Sequence, residues 1–85
     1  MMLKELALKY IQNTDRVFAK INLSQDAVYI DRDKTREIIN AAKRYLEDAK
    51  YYCEKKQFET SLISVSYCEG LLDALRILGL ADFQW

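Results

Sequence analysis

The stretch 58–78, "FETSLISVSYCEGLLDALRIL", decides the fold expected for this chain. When its residues are placed 100° apart around a helix, one sector of about 100° contains the polar side chains of Glu59, Ser66, Glu69, Asp73 and Arg76, interrupted by Leu62, and apolar side chains cover roughly twice that sector. A helix that packs on a single neighbour needs an apolar stripe only a little wider than about 100°. The pattern therefore predicts a helix covered on two sides, either by two other helices of the chain or by one helix and another copy of the protein.

Two amphipathic helices are predicted before this one. Apolar side chains recur at three- and four-residue steps through residues 3–21 and again through residues 34–56, and this spacing brings them to one face of a helix. The chain has no proline and two glycines, so few positions interrupt a helix. The apolar ridge of the second helix comprises Ile38, Ala42, Tyr45, Ala49 and Tyr52.

The predicted helices are joined by two different connections. Residues 22–33 break the helical spacing and are predicted to form a loop, in which Asp31 or Asp33 caps the second helix by accepting hydrogen bonds from its free N–H groups. A tight turn at Lys56 and Gln57 is expected to join the second helix to the third.

The end of the third helix completes the predicted fold. Gly79 is expected to stop this helix in the left-handed conformation, and the tail 79–85 is expected to dock. A chain of 85 residues is long enough for one modest core. We therefore predict one all-α domain over residues 1–85, a three-helix antiparallel bundle with a long helix 2–helix 3 hairpin.

Charge and hydropathy narrow the classes of partner. Thirteen basic and thirteen acidic residues cancel, so the chain lacks the basic excess typical of proteins that bind nucleic acid, and no such partner is predicted. No apolar run approaches the ~20 residues that a membrane-spanning helix needs. The sequence therefore predicts a cytoplasmic protein without a membrane partner.

The titratable residues narrow the chemistry. Histidine is absent, which removes the commonest general base near neutral pH and the imidazole ligands of zinc. Cys53 and Cys68 are expected to lie about 10 Å apart along the axis of the predicted hairpin, too far for a disulfide, and both are expected to be reduced and buried. No catalytic residue, cofactor or metal is predicted, and we expect that the protein is not an enzyme.

A glycine in the middle of the third helix marks a candidate packing surface. Gly70 costs ~1 kcal/mol there relative to alanine. Together with Ala74, one turn later, it would either let a neighbouring helix approach closely or leave a groove for a ligand or a partner's side chain. The candidate packing or interface residues are Tyr67, Gly70, Leu71 and Ala74 on this ridge, with Phe83 and Trp85 in the tail.

An acidic pair lies on the other side of the same helix. Glu69 and Asp73 are one turn apart, and like charges at that spacing repel by a few tenths of a kcal/mol. One interpretation is an exposed pair relieved by Arg76 or by a lysine or arginine of another helix. The other is a magnesium or calcium site in which Asp48 of the second helix supplies a third carboxylate.

The second half of the chain resembles a known family. Tyr45, Asp48 and Ala49 begin the pattern, Phe58 follows the turn, and the third helix contains Tyr67, Gly70, Leu72, Asp73 and Ala74 before a closing Gly79 and Leu80. This pattern resembles an archaeal family of short helical proteins known as domain of unknown function number three hundred and fifty-seven. The resemblance implies an α-helical fold and no assigned activity.

The chain departs from the family pattern at three positions. Lys56 and Gln57 stand where the family turn often has glycine and aspartate. Glu69 stands where a histidine commonly precedes the glycine of the motif, and Leu75 replaces a second glycine. If that histidine has a chemical role in the family, this chain lacks it.

Two functional hypotheses follow from the sequence. The first is a non-enzymatic helical module that associates with itself or with a partner protein, because the third helix has a wide apolar arc and because tyrosine and tryptophan are enriched at interfaces. The alternative is a protein that binds a small ligand or a divalent cation at the acidic edge of the third helix.

Overall fold

The chain is all-helical over the residues that its computed structural model describes, 2–24 and 26–85. Helix α1 spans Leu3–Lys20, α2 spans Arg32–Glu54 and α3 spans Phe58–Ile77, and this described part contains no strand. The prediction of an all-α chain with three helices is confirmed.

Helix α2 begins two residues earlier than predicted because Asp31 is its N-cap. The Asp31 carboxylate accepts a hydrogen bond from the Lys34 backbone N–H at 2.9 Å, and the Thr35 hydroxyl donates to the Asp31 carbonyl at 3.1 Å. The first of these bonds satisfies a backbone N–H that has no partner inside the helix. Asp33 instead lies in the first turn, 3.8 Å from Arg36.

Helices α2 and α3 end with the same hydrogen-bond motif. After α2, the N–H of Lys56 bonds to the carbonyl of Cys53 at 3.0 Å and the N–H of Gln57 to that of Tyr52 at 2.9 Å. This pair of hydrogen bonds to the last turn is the Schellman motif. In this motif the first residue past the C-cap has a positive φ. Lys56 occupies that position with φ 61°, although it has a β-carbon.

Gly79 plays the same part after α3, as predicted. Its φ is 75°, its N–H bonds to the Arg76 carbonyl at 3.0 Å, and the Leu80 N–H bonds to the Leu75 carbonyl at 2.9 Å. A glycine adopts this backbone without steric cost. The chain therefore folds back over the end of α3.

Helices α2 and α3 pack side by side as a hairpin. Close to the turn, the Ser61 hydroxyl donates to the Ala49 carbonyl at 2.7 Å. Further away, the rings of Tyr45 and Tyr67 lie 4.4 Å apart. Contacts thus pair earlier residues of α2 with later residues of α3.

The core of this hairpin is small. Among the described residues, the buried apolar side chains are Ala42 and Ala49 of α2 with Cys68 and Leu75 of α3, and Leu75 is fully buried. The ridge predicted for α2 does face α3, since its remaining members are half-buried. The hairpin therefore buries a single narrow seam.

Helix α1 does not join the hairpin. Over residues 2–24 and 26–85, α2 and α3 are the pair of helices in contact, and α1 packs against neither. The backbone is extended at Ile21, with φ −65° and ψ 134°, and the Ser24 hydroxyl bonds locally to the Asp26 carbonyl at 3.2 Å. The predicted packing of all three helices is therefore absent from the described residues.

No helix in the described part of the chain is long and apolar enough to cross a membrane.

Candidate interaction surfaces

The apolar face of α1 is mostly exposed, and only Leu6 on it is half-buried. Phe18 is 71% exposed and Tyr10 is 62% exposed, and their neighbours on the same face are similarly open to solvent. An amphipathic helix in a folded protein normally buries this face. The exposed apolar residues of this face, here called the α1 stripe, are Leu3, Tyr10, Ile11, Val17, Phe18 and Ile21.

A second apolar stripe lies on α3. Cys68 and Leu75 face α2, and a row of exposed small and apolar residues lies on the flank about 100° away around the helix. Together with the stripe on α1, it leaves two helical faces of this chain uncovered. The members of this row, here called the α3 stripe, are Ile63, Tyr67, Gly70, Ala74 and Leu78.

The space beside Gly70 is open. A β-carbon placed on Gly70 would meet no atom within 4 Å outside its own helical turns. No neighbouring helix of the described chain therefore approaches this glycine closely. A close approach at Gly70 requires a partner that lies outside this chain's own contacts.

A shallow groove runs between the two packed helices beside the α3 stripe. It encloses about 550 Å³ and is lined by Tyr45, Asp48, Tyr67 and Leu71, among others. Leu71 is half-buried in it. Of the predicted ridge, Tyr67 and Leu71 therefore face the groove, whereas Gly70 and Ala74 face solvent.

The C-terminal segment is attached to α3 through Asp73. The indole N–H of Trp85 donates to the Asp73 carboxylate at 2.9 Å, and Arg76 lies 3.5 Å from the same oxygen. Phe83 lies between them, since its ring is 5.2 Å from the Trp85 ring and 6.0 Å from the Arg76 guanidinium carbon. Trp85 is nevertheless 65% exposed.

The three candidate carboxylates do not converge. Asp48 lies in the groove beside Tyr67, whereas Glu69 projects about 200° around α3 from Tyr67. Asp73 already has Arg76 and Trp85 as partners. In the described ranges no three acidic, cysteine or histidine side chains are grouped so that they could hold a metal ion.

Both cysteines are free, but they occupy different environments. Cys68 is buried as predicted, and burial raises the pKa of its thiol, with a smaller contribution from the charge of Glu69. Cys53 is exposed. The prediction that Cys53 is buried was wrong because α2 reaches its last turn there, where α3 has not yet begun.

Residues 9–81 match the family described as protein of unknown function, DUF357. The chain belongs to this family. The match confirms the family resemblance found in the sequence, and it extends beyond the hairpin into α1. Comparisons with curated proteins and with solved structures found no match.

In this DUF357 member the motif residues divide by role. Ala49 is buried in the seam, Gly79 closes α3 and Asp73 binds the C-terminal segment. Tyr67 and Gly70 lie on an exposed flank instead.

Sequence reasoning missed the α1 stripe as a candidate surface. Apolar residues recur at three- and four-residue steps in the sequence of α1, and this spacing does predict an apolar face. The spacing cannot show which surface covers that face.

Proposed function

We propose that this protein is a non-enzymatic association module, which works by covering its exposed helical faces with a protein surface, its own or a partner's. The observation that supports this most is the α1 stripe, whose apolar side chains are exposed in the described chain. Contiguous apolar surface of this kind marks sites of interaction in soluble proteins.

The composition of the two stripes supports the same proposal. The α1 stripe contains Tyr10 and Phe18, and the α3 stripe contains Tyr67 beside Gly70. Aromatic side chains bury a large apolar area, and they are enriched at the centres of interfaces. An association surface needs no catalytic group, which is consistent with a chain that has no histidine.

Hydrogen exchange of α1 combined with the mass of the protein in solution tests this function. If α1 is an association surface, its amides are protected only when the protein is part of an assembly, and in the free chain they exchange quickly. An apolar dye such as ANS then binds the free chain. A strict monomer whose α1 amides are protected at every concentration, and which binds no dye, would contradict the proposal.

The alternative function, binding of a small ligand or a divalent cation at the acidic edge of α3, has weaker support. The groove beside Asp48 could hold a ligand, but Asp73 is occupied by Arg76 and Trp85. A ligand present at a hundred times its dissociation constant adds about 2.7 kcal/mol of stability. Thermal unfolding with magnesium or calcium therefore tests it, and an unchanged melting temperature counts against it.

A further inference from the structure

The chain exposes far more surface than a compact monomer of its mass. Its accessible surface is 7760 Å² for a mass of 10.0 kDa. The scaling of surface with mass in folded monomers gives about 5,200 Å² for such a chain, an excess of about 2,500 Å². The radius of gyration is 15.6 Å, against about 12 Å for a compact chain of this length. Both quantities show that the described conformation is open.

The excess has the size of an obligate interface. Obligate homodimers bury about 2,000–5,000 Å² in total, or about 1,000–2,500 Å² from each chain. The α1 stripe and the α3 stripe contribute to this excess surface, and both are helical and elongated. Helix α1 does not pack on the hairpin. A partner helix laid along each stripe is the form of cover that fits them.

The charges of α1 and α3 are complementary. Helix α1 has four basic and two acidic residues, for a net charge of +2, and α3 has three acidic residues and one basic residue, for a net charge of −2. Opposite potentials favour docking of α1 on α3 and disfavour docking of α1 on α1 or of α3 on α3. The basic residues of α1 are Lys4, Lys9, Arg16 and Lys20, and the acidic residues of α3 are Glu59, Glu69 and Asp73.

We propose that two copies of this chain form a symmetric dimer in which α1 of each copy lies along the α3 stripe of the other. This inference rests on the proposed association function and names its partner. The twofold arrangement contains the same contact twice, so both α1 stripes and both α3 stripes are covered. The open space at Gly70 lets the backbone of the incoming helix approach closely.

Sedimentation equilibrium of the full chain gives the first test, with an expected mass twice that of one chain. Val17→Asp places a charge in the α1 stripe and should raise the dimer dissociation constant at least tenfold, which corresponds to about 1.4 kcal/mol. Gln12→Asp makes the same kind of change on the opposite face of α1 and should leave the dissociation constant within about twofold. Because α1 has no contact with the hairpin in the described chain, both variants should keep the helix content of α2 and α3.

Mixing two defective variants tests the exchange itself. Val17→Asp damages the α1 stripe and Ile63→Asp damages the α3 stripe. A dimer of either variant alone therefore has no intact contact between the two stripes. A mixed dimer has one intact contact, between the α1 stripe of the Ile63→Asp chain and the α3 stripe of the Val17→Asp chain. Mixing should therefore restore dimers that neither variant forms alone, and a mixture that stays monomeric would overturn the exchange.

The two proposals fail in distinguishable ways. A wild-type monomer with unprotected α1 amides and bound ANS overturns the dimer but leaves an association surface free for a different protein. A wild-type monomer with protected α1 amides shows that α1 has folded onto its own hairpin, and it overturns both. If the protein is a dimer and Val17→Asp does not weaken it, the dimer does not use the α1 stripe. That result overturns the proposed contact between α1 and the α3 stripe but not self-association.

Discussion

At the scale of single residues, Lys56 is under conformational strain. It has φ 61° in the turn between α2 and α3, where a β-carbon comes too close to the backbone and costs about 1–2 kcal/mol. The Schellman hydrogen bonds favour glycine at this position, since they require the left-handed conformation. This chain keeps the bonds and bears the strain.

Replacing Lys56 with glycine should therefore stabilise the protein. Lys56→Gly removes the steric cost but makes the unfolded chain more flexible, so the net gain in unfolding free energy should be about 0.5–1 kcal/mol. Urea unfolding followed by circular dichroism measures it. The matched control is Lys55→Gly. Lys55 has φ −80°, so it has no steric strain to relieve, and this variant should be less stable than the wild type. Equal effects of the two variants would show that Lys56 is not strained.

The two cysteines should differ in reactivity. Alkylation requires the thiolate, and Cys68 is buried with a raised pKa, whereas Cys53 is exposed. Iodoacetamide followed by peptide mass spectrometry should label Cys53 at least ~10 times faster than Cys68 in the native protein. The rate at Cys68 should continue to rise with pH beyond the usual thiol pKa, because its thiolate forms later. In urea the two rates should become similar, and similar rates without urea would contradict the burial of Cys68.

At the scale of elements, the first turn of α2 depends on one cap. Asp31→Ala removes the acceptor of the Lys34 N–H and should cost about 1 kcal/mol, which lowers the melting temperature by about 4–8 °C. Asp33→Ala is the matched control, because Asp33 lies in the same turn and makes a long, exposed contact with Arg36, so its loss should be smaller. A larger loss of stability for Asp33→Ala than for Asp31→Ala would show that Asp31 is not the residue that caps α2.

The extents of the helices could be predicted because apolar spacing and caps are local signals. The predicted ranges 3–21, 34–56 and 58–78 differ from the observed helices by at most two residues at any end. The contacts of the candidate site were harder to predict, because Asp73 binds Trp85, twelve residues away. The position of α1 could not be predicted, since an apolar face indicates that a helix suits a covering surface but does not show whether this chain provides one.

At the scale of the whole molecule, the amount of core limits stability. The described residues bury one seam between two helices, and a chain of this size is marginal even when it is compact. The sequence left two ways to cover the wide apolar arc of α3, by α1 of the same chain or by another copy. In this open conformation α1 does not provide that cover, so in the proposed dimer the second copy would supply the additional core.

Stability that comes from a second copy must depend on protein concentration. In a dimer that unfolds to two separate chains, each tenfold increase in concentration adds about 1.4 kcal/mol per dimer, which raises the melting temperature by about 3–5 °C for chains of this size. Scanning calorimetry over a hundredfold range of concentration should show this rise for the wild type and for Gln12→Asp. Val17→Asp should melt lower than the wild type at each concentration, because its α1 docks less tightly. A concentration-independent melting temperature in the wild type would mean that each chain folds without its partner, and the dimer would then have no part in its stability.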